Sequence, residues 1–596
     1  LIKRNLLINM ERRHQKIKPL LRRELHINSD PAFRSFIKKG LRIIPKLTVE
    51  QKDTSSSDYR NQKTVKKMKL LRIFKQIKHV QKLDVNRLLL SNTKFYSPTL
   101  LYIGKRMSSL SDLSIYESRE VKSYYQRKFA SWPKYMRHLK SLRYGLHVEK
   151  PWISLFTNQP KDPEALNLPE RISLATDFLR YLPKVKVLKV DFPYLSDYVP
   201  QMNGFWDFRK YSLSLEKICF FAARYDQSTL NSSLTRLKNL KDLTMEFQLG
   251  NSAKVEPVYE QISQMTQLES LSIRFCENFE IDNSVCAGFK QLTKLKNLKI
   301  DLNLLKVPAN NLQILKNFEE CPLENFNLRI AISSEQDLLL IQDFLSKKKY
   351  LKRLELRISK GEVFKSFKNV EELLKLIDDM SQLTHLSFFA QTRVYNIPQK
   401  QILPEIDFPF KKLFTKLVPL KKFTIYLNQH TFSKKGFFSL LEPLKEISST
   451  LEKVEINVGA YKPKDSAETD AIINFIRSLT NIRSLRLASV DIPLRPFFLE
   501  IIDAIYTLKY LRSLQIGEVS GKVTKPSFMD GVEKILSKYG LEKFICETSA
   551  DFKKAMVKKN VGCPPINIKD LRQKNPYLRK WPHGPMFVDH HNSGDW

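Results

Sequence analysis

Apolar residues recur along the chain in the pattern LxxLxL, with Ile, Val, Phe, Met or Cys also filling the marked positions. Thirteen clear copies begin at Val185, Leu215, Leu240, Leu268, Leu295, Leu323, Leu351, Leu383, Leu420, Leu451, Ile482, Leu511 and Leu541. The gaps between them are 30, 25, 28, 27, 28, 28, 32, 37, 31, 31, 29 and 30 residues. A spacing this steady marks a structural repeat. The alternating L-x-L predicts a strand with one buried face. Between strands lie stretches with apolar residues three and four apart, such as SEQDLLLIQDFL (334–345), VEELLKLIDDM (370–380), AIINFIRSL (471–479) and FFLEIIDAIYTL (497–508). These predict helices. One strand and one helix cannot bury their apolar faces alone, so the units must stack in parallel, strands on one side and helices on the other.

Weaker copies begin at Val80, Leu110 and Leu139. The 46-residue jump from Leu139 to Val185 predicts an insertion or a degenerate unit. The pattern covers roughly residues 80–546. It resembles leucine-rich-repeat proteins, and the unit length with helical backs resembles their ribonuclease-inhibitor-like class. That resemblance implies an α/β solenoid, a horseshoe with parallel strands inside and helices outside, a concave binding surface and no catalysis. One departure from the family pattern is plain. The Asn or Cys usual after the last strand leucine is largely absent, so the units are divergent.

Four segments follow from the pattern: a basic N-terminal arm (1–66), degenerate repeats with an insertion (67–180), the repeat array (181–550) and a C-terminal extension (551–596). The arm carries 17 Lys and Arg against six acids. Residues 1–25 share the basic, acid-poor character of a mitochondrial presequence but lack its serines. They read as a basic arm of an intracellular protein, mitochondrial or otherwise cytoplasmic. No apolar run reaches the length of a membrane span. The six cysteines form no CxxC pair and read as packing residues of a reducing compartment.

The formal net charge is +39. Such an excess favours anionic partners. Its placement matters more than its size. Positions expected on the concave face hold both signs and aromatic rings: Phe221, Arg274, Arg329, Arg357, Phe389 and Tyr426, among others. A mixed, partly aromatic face suits a protein partner. The two positions just before each strand are richer in base, with twelve Lys and Arg against six acids. Lys241, Lys296, Lys352, Arg353, Lys421, Lys422, Arg483 and Arg512 would form a basic edge able to follow an RNA backbone.

Glycine-rich phosphate loops, HExxH, GxSxG and kinase motifs are absent from the sequence. His590 and His591, with Asp589 and Asp595 nearby, read as tail residues rather than a metal site. No cofactor is expected. Two functions fit. One is a structural subunit of a large ribonucleoprotein such as a mitochondrial ribosome, docked on proteins by its repeats and on RNA by its edge and arms. The alternative is a protein-interaction scaffold without nucleic acid, such as a cytoskeletal or ciliary component or a ubiquitin-ligase adaptor.

Overall fold

Each LxxLxL copy carries a β-strand, and its fourth and sixth residues turn into the core. Leu243 and Met245, Leu298 and Ile300, Leu328, Leu354 and Leu356, and Val454 and Ile456 are all buried. The computed structural model describes residues 25–26, 43–50, 79–87, 103–105, 107–118, 132–147, 182–192, 214–222, 234–247, 256–274, 286–302, 309–332, 334–359, 367–391, 414, 416–428, 434–457, 466–487, 492–493, 498–520 and 543–547. They divide into two units, residues 1–295 and 296–596.

In the first unit the strands are β1 (Leu25–His26), β2 (Ile43–Glu50), β3 (His79–Arg87), β4 (Asp112–Ser118), β5 (Ser141–His147), β6 (Val187–Phe192), β7 (Lys217–Ala222), β8 (Asp242–Phe247) and β9 (Ser270–Arg274). Each pairs in parallel with the next in sequence. Two findings revise the sequence reading. The strand stack reaches into residues 1–66, expected to be an arm: Ile44 lies opposite Val80 and Leu47 opposite Leu83. The segment IPKLTV from Ile44 in fact matches the repeat pattern. Also, β5 pairs directly with β6, Leu142 opposite Leu188. No strand therefore stands between β5 and β6 in the sheet.

In the second unit the strands are β10 (Asn297–Leu302), β11 (Asn325–Ala331), β12 (Arg353–Ser359), β13 (His385–Gln391), β14 (Lys422–Asn428), β15 (Lys453–Asn457), β16 (Ser484–Leu487), β17 (Ile492–Pro493), β18 (Ser513–Ser520) and β19 (Lys543–Glu547). From β10 to β16 each again pairs in parallel with the next. Strand β16 then pairs with β18, and β18 with β19. Parallel pairing throughout requires a crossover after every strand. Among the described residues helices supply several of these: α1 (Glu256–Ser263) in the first unit, then α2 (Glu335–Ser346), α3 (Phe367–Asp378), α4 (Lys434–Glu446), α5 (Ser466–Ser478) and α6 (Phe498–Thr507) in the second. The four helices expected from periodicity correspond to α2, α3, α5 and α6. Some backs are 3-10 turns instead, at Ala287–Gln291 and Ala309–Phe318. Helix α2 starts at a capping box, in which the Ser334 side chain accepts the Asp337 N–H and the Asp337 carboxylate accepts the Ser334 N–H. Two first-turn N–H groups are thereby satisfied. The tail after Glu547 and the insertion within 148–181 lie outside the described residues.

Two ladders lock neighbouring repeats together. The carbonyl of the second residue in LxxLxL accepts two backbone N–H groups from the next repeat. Lys296 O takes Glu324 and Asn325, Glu324 O takes Lys352 and Arg353, and Lys421 O takes Glu452 and Lys453. This stacks the second-position side chains in a line. The other ladder is made by the residue just before the first leucine, whose side chain reaches a carbonyl of the preceding turn. His138 approaches Met107 O, Gln267 donates to Leu237 O, Thr450 to Leu420 O and Asn481 to Ser449 O. Met107 O and Leu237 O also accept the N–H of Leu110 and Leu240, so His138 and Gln267 add a second contact to each turn.

The 37-residue unit between Leu383 and Leu420 returns to its strand through Phe414, which is buried with φ at 67°. A bulky residue in that left-handed region costs roughly 1–2 kcal/mol. Packing on Phe423 at 5.3 Å between ring centroids, and the Asp378 carboxylate accepting the Lys416 N–H at 3.1 Å, hold it there.

Candidate functional site

The side of the sheet opposite the helices is open to solvent, and register sorts its side chains into rows. One row runs Asp301, Arg329, Arg357, Phe389 and Tyr426 on β10 to β14. Four residues proposed from sequence for the concave face thus stand side by side. They make contacts in two groups, Asp301 with Arg329, and Arg357 with Phe389 and Tyr426. Arg329 Nη1 lies 3.3 Å from Asp301 Oδ2. The Arg357 guanidinium lies 4.3 Å from the centre of the Phe389 ring, and Phe389 and Tyr426 sit 6.0 Å apart at 33°. Arg357 is also bonded to Glu355. A guanidinium held by both a carboxylate and a ring is fixed before any partner arrives. Arg274 occupies the face of β9 in the first unit. Phe221 lies in β7, with its side chain outside the described residues.

The eight residues expected on a basic edge separate into two places. Lys241, Lys296, Lys352, Lys421, Arg483 and Arg512 precede the strands and do lie along the edge. Arg353 and Lys422 are the first residues of β12 and β14 and belong to the open face. The edge is not uniformly basic either, because the second-position ladder alternates in sign. In the first unit Lys186 pairs with Glu216 at 2.6 Å and Lys241 with Glu269 at 3.0 Å. In the second, Lys352 pairs with Glu324 at 2.8 Å, and Glu452 lies 4.0 Å from Lys421 and 3.6 Å from Arg483. The Glu269 carboxylate holds Lys241 above the usual lysine range. The Lys352 hydrogen bond holds Glu324 below the usual carboxylate range. Sequence reasoning counted these acids but could not place each beside its base. The signal was available: positions 186, 216, 241 and 269 read Lys, Glu, Lys, Glu.

Moving Arg353 and Lys422 to the face changes its balance. Over β12 to β16 the face holds five basic residues, Arg353, Arg357, Lys422, Lys453 and Arg486, against two acids, Glu355 and Glu455. The first row there reads Arg353, His385, Lys422 and Lys453 on successive strands. His385 sits among these cations with Nδ1 2.8 Å from the Thr384 hydroxyl. Burial first, then Lys422, Arg353, Lys421 and Lys453, push its pKa from 6.5 down to about 4.

A pH dependence follows. The unfolded chain binds a proton at this histidine below about pH 6.5, and the folded chain only near pH 4. Stability therefore falls as pH drops through that window. Allowing for the partial exposure of the ring, we expect a loss of about 1–2 kcal/mol. Urea midpoints at pH 7 and pH 4.5, compared for the wild type and His385→Gln, measure it. Equal pH slopes in the two proteins would refute this assignment.

A shallow cleft of about 380 Å³ in the first unit is lined by Lys186, Glu216, Lys238, Lys241 and three polar turn residues. Its bases face the acids of the alternating edge. Among the described residues no three His, Cys, Asp or Glu side chains gather as a metal site. Cys219, Cys286 and Cys321 are buried. No described helix is long and apolar enough to cross a membrane. His590 and His591 lie outside the described residues.

No family model and no curated protein matches the chain. Among solved structures, an LRR protein of Leptospira interrogans aligns over 78% of this chain and 97% of its own, at 15% identity and a TM-score of 0.34. The repeat register is visible in the chain's own strands, turns and crossovers. By that register its architecture is a leucine-rich-repeat α/β solenoid.

Proposed function

We propose that the chain is a non-catalytic scaffold that binds other proteins through the open sheet face of β10 to β16. One observation carries this reading: Asp301, Arg329, Arg357, Phe389 and Tyr426 stand in register on five adjacent strands, with Arg329 held by Asp301 and Phe389 in contact with both Arg357 and Tyr426. Pre-positioned Arg and aromatic side chains of this kind dominate protein interfaces. The repeat spreads them over a broad surface on a rigid framework. In the full-length chain, Phe389→Ala with Tyr426→Ala should lower partner occupancy at least tenfold in quantitative co-purification. The lost partners should be proteins retained by the wild type after nuclease treatment. An unchanged partner set would overturn the proposal.

A second reading, a subunit of a ribonucleoprotein such as a mitochondrial ribosome, is favoured by the net charge of +39. Its supports are the terminal segments and whatever charge the edge retains after pairing with Glu216, Glu269, Glu324 and Glu452. Loss of the native assembly on nuclease treatment, with binding that weakens steeply in salt, would favour it over the first.

A further inference from the structure

We propose that the row Arg353, His385, Lys422 and Lys453 is a docking track for an extended acidic segment of a protein partner. The segment's carboxylates would lie on this row and one apolar side chain against Phe389 and Tyr426. The inference rests on the protein-binding reading above and specifies the chemistry of the partner.

Register carries the argument. The four side chains open four adjacent parallel strands. At ~4.8 Å per strand the row spans roughly 14 Å, about four residues of extended peptide. Lys352 and Lys421 flank it on the edge side, tied to Glu324 and Glu452. Glu355 and Glu455 stand one row inward, engaged by Arg357 and by Lys453 at 3.4 Å. The cations therefore form a narrow line bordered by acids. A polyphosphate lying broadly across the sheet would meet those acids, whereas a single extended chain can follow the line.

The aromatic row points the same way. Register flanks Phe389 with Arg357 on one side and Tyr426 on the other. The guanidinium covers one ring face at 4.3 Å, and Tyr426 packs beside the ring at 6.0 Å. Sequence-tolerant nucleic-acid binding needs open ring faces on which bases stack. Here Arg357 takes one face of Phe389 and Tyr426 lies against the same ring, so the pair is better placed for an aliphatic or aromatic side chain of a peptide. Burial lowers the His385 pKa first, and Lys422, Arg353, Lys421 and Lys453 lower it further, so their field reaches the imidazole. Bound carboxylates would cancel part of that field and draw the imidazole pKa upward.

The test uses the full-length chain and a labelled 12-residue Glu-rich peptide with one central phenylalanine, read by fluorescence anisotropy at physiological salt. Arg353→Gln with Lys422→Gln should weaken binding at least tenfold. Lys316→Gln with Lys445→Gln, which removes the same charge from the helix side, should change it less than twofold. The His385 imidazole, followed by NMR, should titrate at higher pH when peptide is bound. Equal losses in the two double variants would overturn the track, as would an unmoved His385 titration. So would a 12-nucleotide oligouridylate that depends on Arg353 and Lys422 when the peptide does not. If the peptide shows no site-dependent binding yet Phe389→Ala with Tyr426→Ala still strips protein partners, the acidic track falls and the scaffold reading stands. If the peptide binds as expected and the partner set is unchanged, the scaffold reading falls on its own test.

Discussion

Replacing Lys348 with alanine should destabilise the second unit by about 2–4 kcal/mol, more than is expected for any exposed lysine. The residue three before the first leucine closes a tight turn, its carbonyl accepting the leucine N–H. Met265, Leu292, Met380, Leu417 and Leu479 do this with apolar side chains in the core. Before β12 that position is Lys348, only 5% exposed. Its ammonium donates to Glu319 O at 2.5 Å and Cys321 O at 2.7 Å, and lies 5.5 Å from the Phe344 ring centre. The preceding turn needs this help. It contains Pro322, which has no N–H to give. There Leu323 bonds to Cys321 O, two residues back, rather than to a carbonyl three residues back. Burial lowers the Lys348 pKa from the usual lysine range, against the pull of Cys321, Glu320 and Glu319.

Two variants separate the contributions. Lys348→Ala removes the donor and opens a cavity beside Phe344. Lys348→Met keeps the volume and restores the residue type used by other repeats, yet takes the ammonium from Glu319 O and leaves Cys321 O with the Leu323 N–H alone, at about 1–3 kcal/mol. Amide exchange across β11 and β12 reads both. If Lys348→Met protects these strands as well as the wild type does, the lysine is a tolerated accident of the turn and not its support.

The second large effect is expected at Gly288. A Cβ built there would meet Ser263 Cβ and Oγ at 2.6 Å, inside any tolerable contact. Gly288 lies in the 3-10 turn Ala287–Gln291, and Ser263 ends α1, so the backs of two consecutive repeats touch there. Phe289 packs edge-on against Tyr259 at 5.8 Å in the same contact. Gly288→Ala must push the two backs apart, at about 1–3 kcal/mol. Ser263→Gly in the same chain should return most of that loss, because it removes both clashing atoms. A double-mutant cycle in thermal unfolding measures the coupling. Additive effects would show that the two residues do not meet.

The strands were the most legible part of the molecule. L-x-L alternation repeated at a steady interval leaves a chain few ways to bury its apolar residues, and every quoted copy became a strand. The copy IPKLTV at Ile44 was equally visible and was obscured by the basic residues around it. At β1, Leu25 aligns with Leu47, but Arg22 stands where the first leucine would be, so the pattern is incomplete there. The helical backs were legible where apolar spacing was strong and less so at Ala287–Gln291 and Ala309–Phe318, where 3-10 turns replaced them.

The candidate face was only half legible. Local pattern determined that Arg329, Arg357, Phe389 and Tyr426 point away from the core, because side chains alternate along a strand. Whether they meet depends on register between strands 28 to 37 residues apart in sequence, and only stacking decides that. The same holds for charge. Composition established an excess of base, and spacing put much of it near the strand starts. The tertiary structure paired edge lysines with glutamates of the neighbouring repeats. It also turned Arg353 and Lys422 onto the open face, since one residue's shift across a strand boundary exchanges edge for face. The sequence by itself thus determined the repeat and its buried columns, which follow from hydrophobic periodicity within one unit. Neighbour relations between repeats decided the alignment of the two face rows, the Lys348 brace and the Gly288 contact, because those are distances between residues that no local pattern relates.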